Sequence, residues 1–511
     1  MPLPRKLAPF VLTCLAALVA PRSRATAVSP KTAPDKPNIL FILADDLGWR
    51  DLGCYGSTFH KTPNIDRLAS RSVRFTQAYA ANPLCSPTRS SVLTGLWPAR
   101  TGITAPVCHV PEVILEKHLS PGNPKRRVLV ANSVTRLKTD YRTLPAILKE
   151  AGYQTGHFGK WHLGPEPYSP LQHGFQTDWP HWAGPGPAGS YIAPWKFPPP
   201  LGVQGQPGTH IEDTLSSQVV TFIRENKDRP FYANYWTFSV HAPHDAKDEL
   251  VAKYRAQAKP NAPQRNPVYA AMVESLDDGV GRVLNALEEC GIADKTIVVF
   301  FSDNGGISWG GADADGSAHH KSARFPSDMT APPTSNLPLR NGKASLYEGG
   351  VREPCLVRWP GVTQPGSTND TIIQSIDWMP TLLEMARIPM PSDAKPDGLS
   401  IAPVLKGGQL QREAIFCHFP HEIGVSGQRP GTSVRRGDWK LIRLYAENAD
   451  GTDKLELYNL KNDLGENKEV SAQHPTRVAE LNALITGFLK DTEAVIPKLN
   501  PKYLPLARGQ P

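Results

Sequence analysis

Cysteine is scarce and shows no pairing pattern: seven residues in 511, scattered from Cys14 to Cys417 without one CxxC pair. A chain long enough to bury a large core needs no disulfide scaffold, and the paired-cysteine zinc and redox motifs are excluded. No basic stripe and no nucleic-acid-binding motif is present, so DNA and RNA are not expected partners. Internal repeats are absent, which excludes solenoid and propeller arrays. The apolar run at the N-terminus, Phe10 to Ala20, is about half the ~20 residues that a membrane-spanning helix requires. No transmembrane segment is expected.

That short run has a different meaning. Arg5 and Lys6 precede it, and Ala25-Thr26-Ala27 follows as a small-residue cleavage site, the organisation of a secretory signal peptide. Residues 1–27 are predicted to be removed on export, leaving a secreted or periplasmic protein. Cys14 sits in mid-run behind Thr13, where a lipoprotein signal wants a small residue. The signal carries four basic residues and no acidic one. Of 56 Lys and Arg, 52 then remain against 48 Asp and Glu, and the formal charge falls from +8 to +4. So modest an excess is weak support for an anionic substrate.

The remaining chain alternates strand and helix signals. Asn38 to Leu43 (NILFIL) is a continuous apolar run, as expected for a strand buried on both faces. Thr62-Pro63 reads as an N-cap with proline at the first helical position. A helix over Thr143–Ala151 ends at Gly152, and a strand follows from Tyr153 to Phe158. Helix Asp213–Glu225, strand Phe231–Phe238, helix Tyr269–Glu289 and strand Thr296–Phe301 come next, then Cys355–Trp359 and a helix around Asp377–Met385. This alternation predicts an α/β fold with a large, mostly parallel sheet flanked by helices over residues 37–408. After Gly407-Gly408, short strands separated by turns precede a helix near Thr476–Leu489. They predict a smaller antiparallel sheet plus helix over 409–511. Three segments, 105–141, 164–210 and 305–339, carry no strong structural signal, and unstructured stretches of that length are uncommon unless functional or disordered.

Chemistry gathers at the ends of the predicted strands. Asp45-Asp46 follows the first strand and Asp303-Asn304 follows Thr296–Phe301. In an open α/β sheet, ligands bind beyond the carboxyl ends of the strands. Adjacent carboxylates there repel one another, and four oxygen ligands favour a hard cation, calcium or magnesium, over zinc. Cys85-Ser86-Pro87-Thr88-Arg89 has proline where a helix opens, which puts Cys85 at a positive helix N-terminus, with Arg89 about one turn away. Lys160 and His162 follow a third strand, His241 follows a fourth, and Lys343 precedes Tyr347-Glu348-Gly349-Gly350. Taken singly these are ordinary surface or core residues. Together at one sheet edge they read as an anion site.

These segments, CSPTRSSVLTG, GYQTGHFGKWH, HAPH and GKASLYEGGVREP with the two acidic pairs, resemble the type I sulfatases of the alkaline-phosphatase superfamily. The resemblance runs in order from about Pro37 to the C-terminus, where GDWKLI and ELYNL continue it. Phe158 departs from it, since the family usually has a smaller residue there. The resemblance implies that a maturation enzyme oxidises Cys85 to formylglycine, whose hydrate presents two hydroxyls. One attacks sulfur, activated by one calcium ion and Asp303. The alcohol leaves with a proton from His241, assisted by Lys343. The second hydroxyl gives its proton toward His162 and sulfate is expelled. Arg89 would hold the formylglycine, Lys160 and Lys343 would balance sulfate charge, and Asp45, Asp46, Asp303, Asn304 and residue 85 would surround the metal.

Two other readings share parts of this pattern. A formylglycine-dependent phosphodiesterase or phosphonate hydrolase shares the CSPTR turn but not the GKWHLG and EGGVREP segments. An inactive glycan-binding relative would not retain every catalytic side chain. For the substrate, export and the rings Tyr168, Trp179, Trp182, Tyr191 and Trp195 favour a sulfated polysaccharide or its oligosaccharides over a small aryl sulfate. Those rings would either stack on sugars or anchor their own loop. Lys125-Arg126-Arg127 and Arg136–Lys138 would either face solvent or meet further anionic groups.

Overall fold

The run NILFIL becomes strand β1 (Asn38–Ala44), buried at every residue. Ile39, Phe41 and Leu43 enter one core, Leu40, Ile42 and Ala44 another. A strand apolar on both faces is stable only inside a sheet covered on both sides. The structure, a computed structural model, describes residues 1–2, 36–309, 322–424 and 426–503. The predicted signal peptide, apart from Met1 and Pro2, lies outside the described residues.

After β1 come β2 (Val73–Tyr79), the short hairpin β3 (His118–Ser120) and β4 (Val130–Asn132), β5 (Gln154–Gly159) and β6 (Thr177–Trp179). Then follow β7 (Phe231–Trp236), β8 (Thr296–Ser302), β9 (Arg352–Arg358), β10 (Thr368–Asn369) and β11 (Ile373–Gln374). The nine-stranded sheet has the order β10-β2-β9-β8-β1-β7-β5-β6, with β11 also paired to β2. Strands β8, β1, β7, β5 and β6 are parallel, whereas β9 runs antiparallel to both β8 and β2. The expected mostly parallel sheet is therefore present.

Helices Ile211–Asn226 and Pro267–Glu289 bury Leu215, Val219, Met272 and Val280 against one face. Cys85–Thr94, Leu144–Glu150 and Trp378–Met385 bury Val92, Leu144, Ile147 and Leu382 against the other. The Asn266 side chain caps the longest helix, accepting from the backbone N–H of Val268 and Tyr269 at 3.1 and 3.0 Å. A second, antiparallel sheet joins β12 (Ile415–Phe419), β13 (Gly431–Arg436), β14 (Trp439–Leu444) and β15 (Lys454–Asn459) in that order. Helix Pro475–Asp491 closes it by packing Leu481, Ile485 and Phe488 on Val434, Leu441 and Leu457.

Thr62 stands at the N-cap of helix Pro63–Ala69 with proline opening it, as expected, but its side chain makes no capping bond: the hydroxyl accepts from the Gly53 N–H at 2.8 Å and donates to Asp66 at 3.2 Å. Other local expectations need correction. Strand β2 and the helix Asp248–Gln257 were not expected, the first because Arg74, Thr76 and Gln77 interrupt its apolar pattern, the second because it buries only Val251 and Tyr254. The segments 105–141 and 164–210 are not featureless, since they supply β3, β4 and β6. All six cysteines among the described residues are free thiols. Phe158, the departure from the family pattern, is accommodated. Its ring packs on Phe222 at 5.3 Å, and Gly156 leaves the room, because a Cβ there would lie 2.7 Å from the Phe158 ring.

Candidate active site

The parallel register sets the site. Ala44 of β1 pairs with Ser302 of β8, Leu43 pairs with Trp236 of β7, and Trp236 pairs with Gly159 of β5. Four strand ends therefore lie side by side. Asp45-Asp46, Asp303-Asn304, Lys160 to His162 and the turn to His241 all leave the sheet at that edge. Asp46 and His162 adopt left-handed backbone conformations, with φ of 60° and 55°. Held strain at non-glycine residues is a mark of functional sites.

Helix Cys85–Thr94 delivers two more groups. Leu84 is extended, the helix starts at Cys85, and all ten helical residues are buried. The Cys85 thiol donates to Asp45 Oδ1 at 3.4 Å. One turn on, Arg89 donates from Nε and Nη2 to Asp303 Oδ2, at 3.0 and 2.8 Å, and from Nη1 to the Lys160 carbonyl at 2.6 Å. Ser86 donates to the His162 carbonyl at 2.7 Å and ties that residue to the helix. The Lys343 loop arrives because glycines let it press on the strand end. A Cβ on Gly305 would lie 1.9 Å from the Gly349 carbonyl oxygen, and the Lys343 N–H bonds Gly306 O at 3.1 Å.

The buried charges alternate. Lys160 donates to Asp45 Oδ2 and Lys343 to Asp46 Oδ2, each at 2.6 Å, while Asn304 donates to Asp46 Oδ1 at 2.8 Å. Burial raises the Asp46 carboxyl, but Lys343, His241 and Lys160 outweigh it and hold the group well below the usual carboxylate range. Burial and then the neighbouring Asp45 push Asp303 up to about 7. Burial followed by Asp45 also raises the Cys85 thiol far above its ordinary value, so this thiol is not an activated nucleophile. Asp45, Asp46, Cys85 and Asp303 offer ligand atoms within 4.8 Å of one another. The buried Asn304 Oδ1 has no hydrogen-bond partner. Three clustered carboxylates and an unused amide oxygen suit a hard divalent cation, which would relieve the repulsion that raises Asp303.

Cys85, His162, His241 and Lys343 line one cavity of about 520 Å³. A larger recess of about 630 Å³, lined by Arg50, Phe59, Lys259 and Gln264, holds none of the site residues. All ten residues singled out from the sequence, Asp45, Asp46, Cys85, Arg89, Lys160, His162, His241, Asp303, Asn304 and Lys343, thus converge on one place.

Two contributors, His109 and Glu212, were missed, and a third, Tyr191, was named for its ring and not for its hydroxyl. His109 lines the same cavity, and its Nδ1 lies 2.9 Å from His162 Nε2. A lone histidine in Val107-Cys108-His109-Val110 has no spacing signal. Glu212 accepts from the N–H groups of Phe238 and Ser239, both at 2.9 Å, shaping the turn that carries His241. Tyr191 donates to the carbonyls of Phe238 and His241 from the other side. That contact decides how the aromatic loop works. None of Tyr168, Trp179, Trp182, Tyr191 and Trp195 lines the cavity, to which their loop contributes Pro185. Trp182 and Trp195 donate to Gly186 and Tyr191 carbonyls of their own loop, so these rings anchor it. Arg136 is likewise structural, buried and donating to the carbonyls of Cys108, Val110, Pro111 and Thr135.

A guanidinium and two ammonium groups facing buried carboxylates at the mouth of an α/β sheet define a hydrolase of anionic esters, and the comparisons say which. The sulfatase family profile matches residues 37–388, and the profile for the C-terminal part of N-sulphoglucosamine sulphohydrolase matches 341–492. A sulfatase from Formosa agariphila is 33% identical, covering 89% of this chain and 88% of its own. Human N-acetylgalactosamine-6-sulfatase is 31% identical over 76% of this chain and 69% of its own. The crystal structure of Ps i-CgsB in complex with k-i-k-neocarrahexaose superposes with a TM-score of 0.70 at 26% identity, covering 92% of this chain and 95% of that one. The chain belongs to the sulfatase family. It is a sulfuric ester hydrolase, of a family known for a formylglycine nucleophile and a metal ion. Among the described residues no helix is long and apolar enough to cross a membrane.

Proposed function

We propose that this sulfatase removes sulfate from a sulfated polysaccharide or its oligosaccharides, using Cys85 matured to formylglycine and one calcium ion. The observation that carries the reading is that Cys85, Lys343, His162 and His241 line one cavity of about 520 Å³, a size suited to more than a bare sulfate group, with Arg89 and Lys160 buried among the carboxylates beside Cys85. The ligand of Ps i-CgsB named above adds support for a saccharide substrate. Export behind the N-terminal signal would bring the enzyme to such polymers, and a formylglycine-generating enzyme would be its maturation partner.

Asp45, Asp46, Asp303 and Asn304, with residue 85, would hold the calcium, which supplies charge to steady the nucleophile and the sulfate oxygens. Formylglycine supplies a hydroxyl nucleophile that a buried, protonated thiol does not. The remaining work falls to this chain's own side chains. Arg89, fixed by Asp303 and the Lys160 carbonyl, steadies position 85. Lys160 and Lys343 face the nonbridging oxygens of the ester. His162 is held neutral by burial and by Lys160, the state needed to accept a proton.

His241 is assigned to the leaving oxygen. Its Nδ1 donates to the Ala242 carbonyl at 2.6 Å, which leaves Nε2 for the substrate. Burial, Lys343 and Lys160 push its pKa down to about 3 in the free site. An anionic ester seated between those two lysines offsets their effect, so proton donation belongs to the substrate-bound state.

A panel of saccharides sulfated at defined positions, incubated with matured enzyme and assayed for free sulfate, tests the reading. Release from one or a few positions at rates well above that for simple aryl sulfates is the expected result. Release from aryl sulfates alone would overturn the glycan assignment.

A further inference from the structure

The cavity that holds Cys85 does not end at the catalytic groups. It shares the lining residues Leu84, Pro106, Glu422 and Ile423 with a second cavity of about 240 Å³, so the two adjoin along that wall and together outline a groove. The far end is walled by Val128 to Val130 and by Pro420 and Pro430, and Arg126 and His421 are its polar groups there.

Arg126 is exposed and forms no ion pair with a described residue. Its backbone is nevertheless fixed. Asn500 Nδ2 donates to the carbonyls of Asn123 and Arg126 at 3.0 and 2.9 Å, and the Asn500 N–H donates to Arg127 O at 2.8 Å. Arg127 is tied down by the Ala446 and Asn448 carbonyls. Val128 bridges to Leu499, and the Leu129 N–H bonds Lys498 O at 2.8 Å. Within the basic triplet, Arg127 anchors the loop and Arg126 is presented to the groove.

The other charges in the groove are accounted for. Glu422 is paired with Arg429. His421 bonds Thr104 Oγ1 at 2.9 Å and is kept neutral, its pKa pushed down to about 4 by burial and by Arg126. Two permanent cations therefore line the groove, Lys343 at the catalytic end and Arg126 at the other. Because the backbone is already ordered, only the Arg126 side chain has to be fixed when it grips a carboxylate or sulfate.

We propose that this groove is a second saccharide subsite, in which Arg126 binds a negatively charged group, carboxylate or sulfate, on a sugar neighbouring the one that reacts. This rests on the glycan reading above and specifies its substrate as an oligosaccharide with at least two anionic groups.

The test uses matured wild type and Arg126→Ala on three oligosaccharides that share the same reacting sulfated sugar. The neighbouring sugars are neutral in the first, carry a carboxylate in the second, and a second sulfate in the third, with 4-nitrophenyl sulfate as control. The expected result is a KM raised about 10- to 100-fold in Arg126→Ala on one or both charged-neighbour substrates, the worth of one charge-assisted hydrogen bond. Rates on the neutral-neighbour substrate and on 4-nitrophenyl sulfate should not change. Which charged substrate suffers tells carboxylate from sulfate. An equal change on all four, or none on any, would overturn the subsite while leaving the glycan reading intact. If wild type turns over only 4-nitrophenyl sulfate, the glycan reading fails and the subsite with it.

Discussion

Lys343 Nζ and His241 Nε2 converge on a single oxygen, Asp46 Oδ2, at 2.6 and 3.7 Å. The two groups considered for proton delivery thus stand side by side at the place assigned to the leaving alcohol. Asp46 holds Lys343 protonated against the opposing effect of burial, whereas His241 is neutral in the free site. A leaving-group series separates them. A sugar alkoxide needs a proton and a nitrophenolate needs it far less. His241→Ala should lose about 100-fold or more on a saccharide sulfate and much less on 4-nitrophenyl sulfate. Equal slopes for wild type and His241→Ala, with chemistry rate-limiting, would move the acid role to Lys343.

The metal assignment predicts a coupled loss. Asp45→Ala and Asp303→Ala should each lower bound calcium and reduce turnover about 100-fold or more, while circular dichroism stays native. Metal content by atomic emission, measured beside activity, decides it. Full activity in either variant, or a fully active enzyme carrying zinc in place of calcium, would refute the oxygen-ligand site.

His109 should matter through His162. Their 2.9 Å contact couples the tautomer of His162 to that of His109 and sets how the ring is turned. His109→Ala is expected to lower kcat about tenfold with little change in KM, as when the partner of a functional histidine is removed. His109→Gln, whose amide still reaches Nε2, should recover part of the loss. Unchanged kcat in His109→Ala would make the contact incidental.

Much of the fold was legible because β1, β7 and β8 are buried on both faces and so are written as apolar runs, β7 interrupted only by Asn234. The paired acidic residues behind β1 and β8 were legible for a related reason: the parallel register brings strand ends together whatever the loops do. What could not be read depended on contacts between distant segments. Arg126 and Arg136 look alike in the sequence, yet one is presented to a groove by Asn500 and the other is spent on four carbonyls of its own loop. Tyr191 could be read equally as a sugar platform or a loop anchor, and its hydroxyl in fact holds the turn behind His241. His109 gave no local signal, because its partner lies 53 residues away.

Gly156 offers a test of the packing beneath the site. A methyl there would meet the Phe158 ring at 2.7 Å, inside a face already filled by Phe222. Gly156→Ala should destabilise by about 1–3 kcal/mol, the usual cost of overpacking, and lower the Tm. Adding Phe158→Leu should restore most of it, since neighbouring substitutions couple. Equal Tm values for Gly156→Ala and wild type would show that the sheet yields at this point.

The central claim is that residue 85 is the reacting centre and acts as formylglycine. Digestion of catalytically competent enzyme with trypsin releases the peptide Phe75–Arg89, which contains Cys85 alone among the cysteines. Its mass, determined beside the rate of sulfate release from the same preparation, tests that claim. Activity should rise in proportion to the fraction of peptide carrying formylglycine, and Cys85→Ala should be folded and inactive. Full turnover by a preparation whose peptide holds only the unmodified thiol would contradict the account.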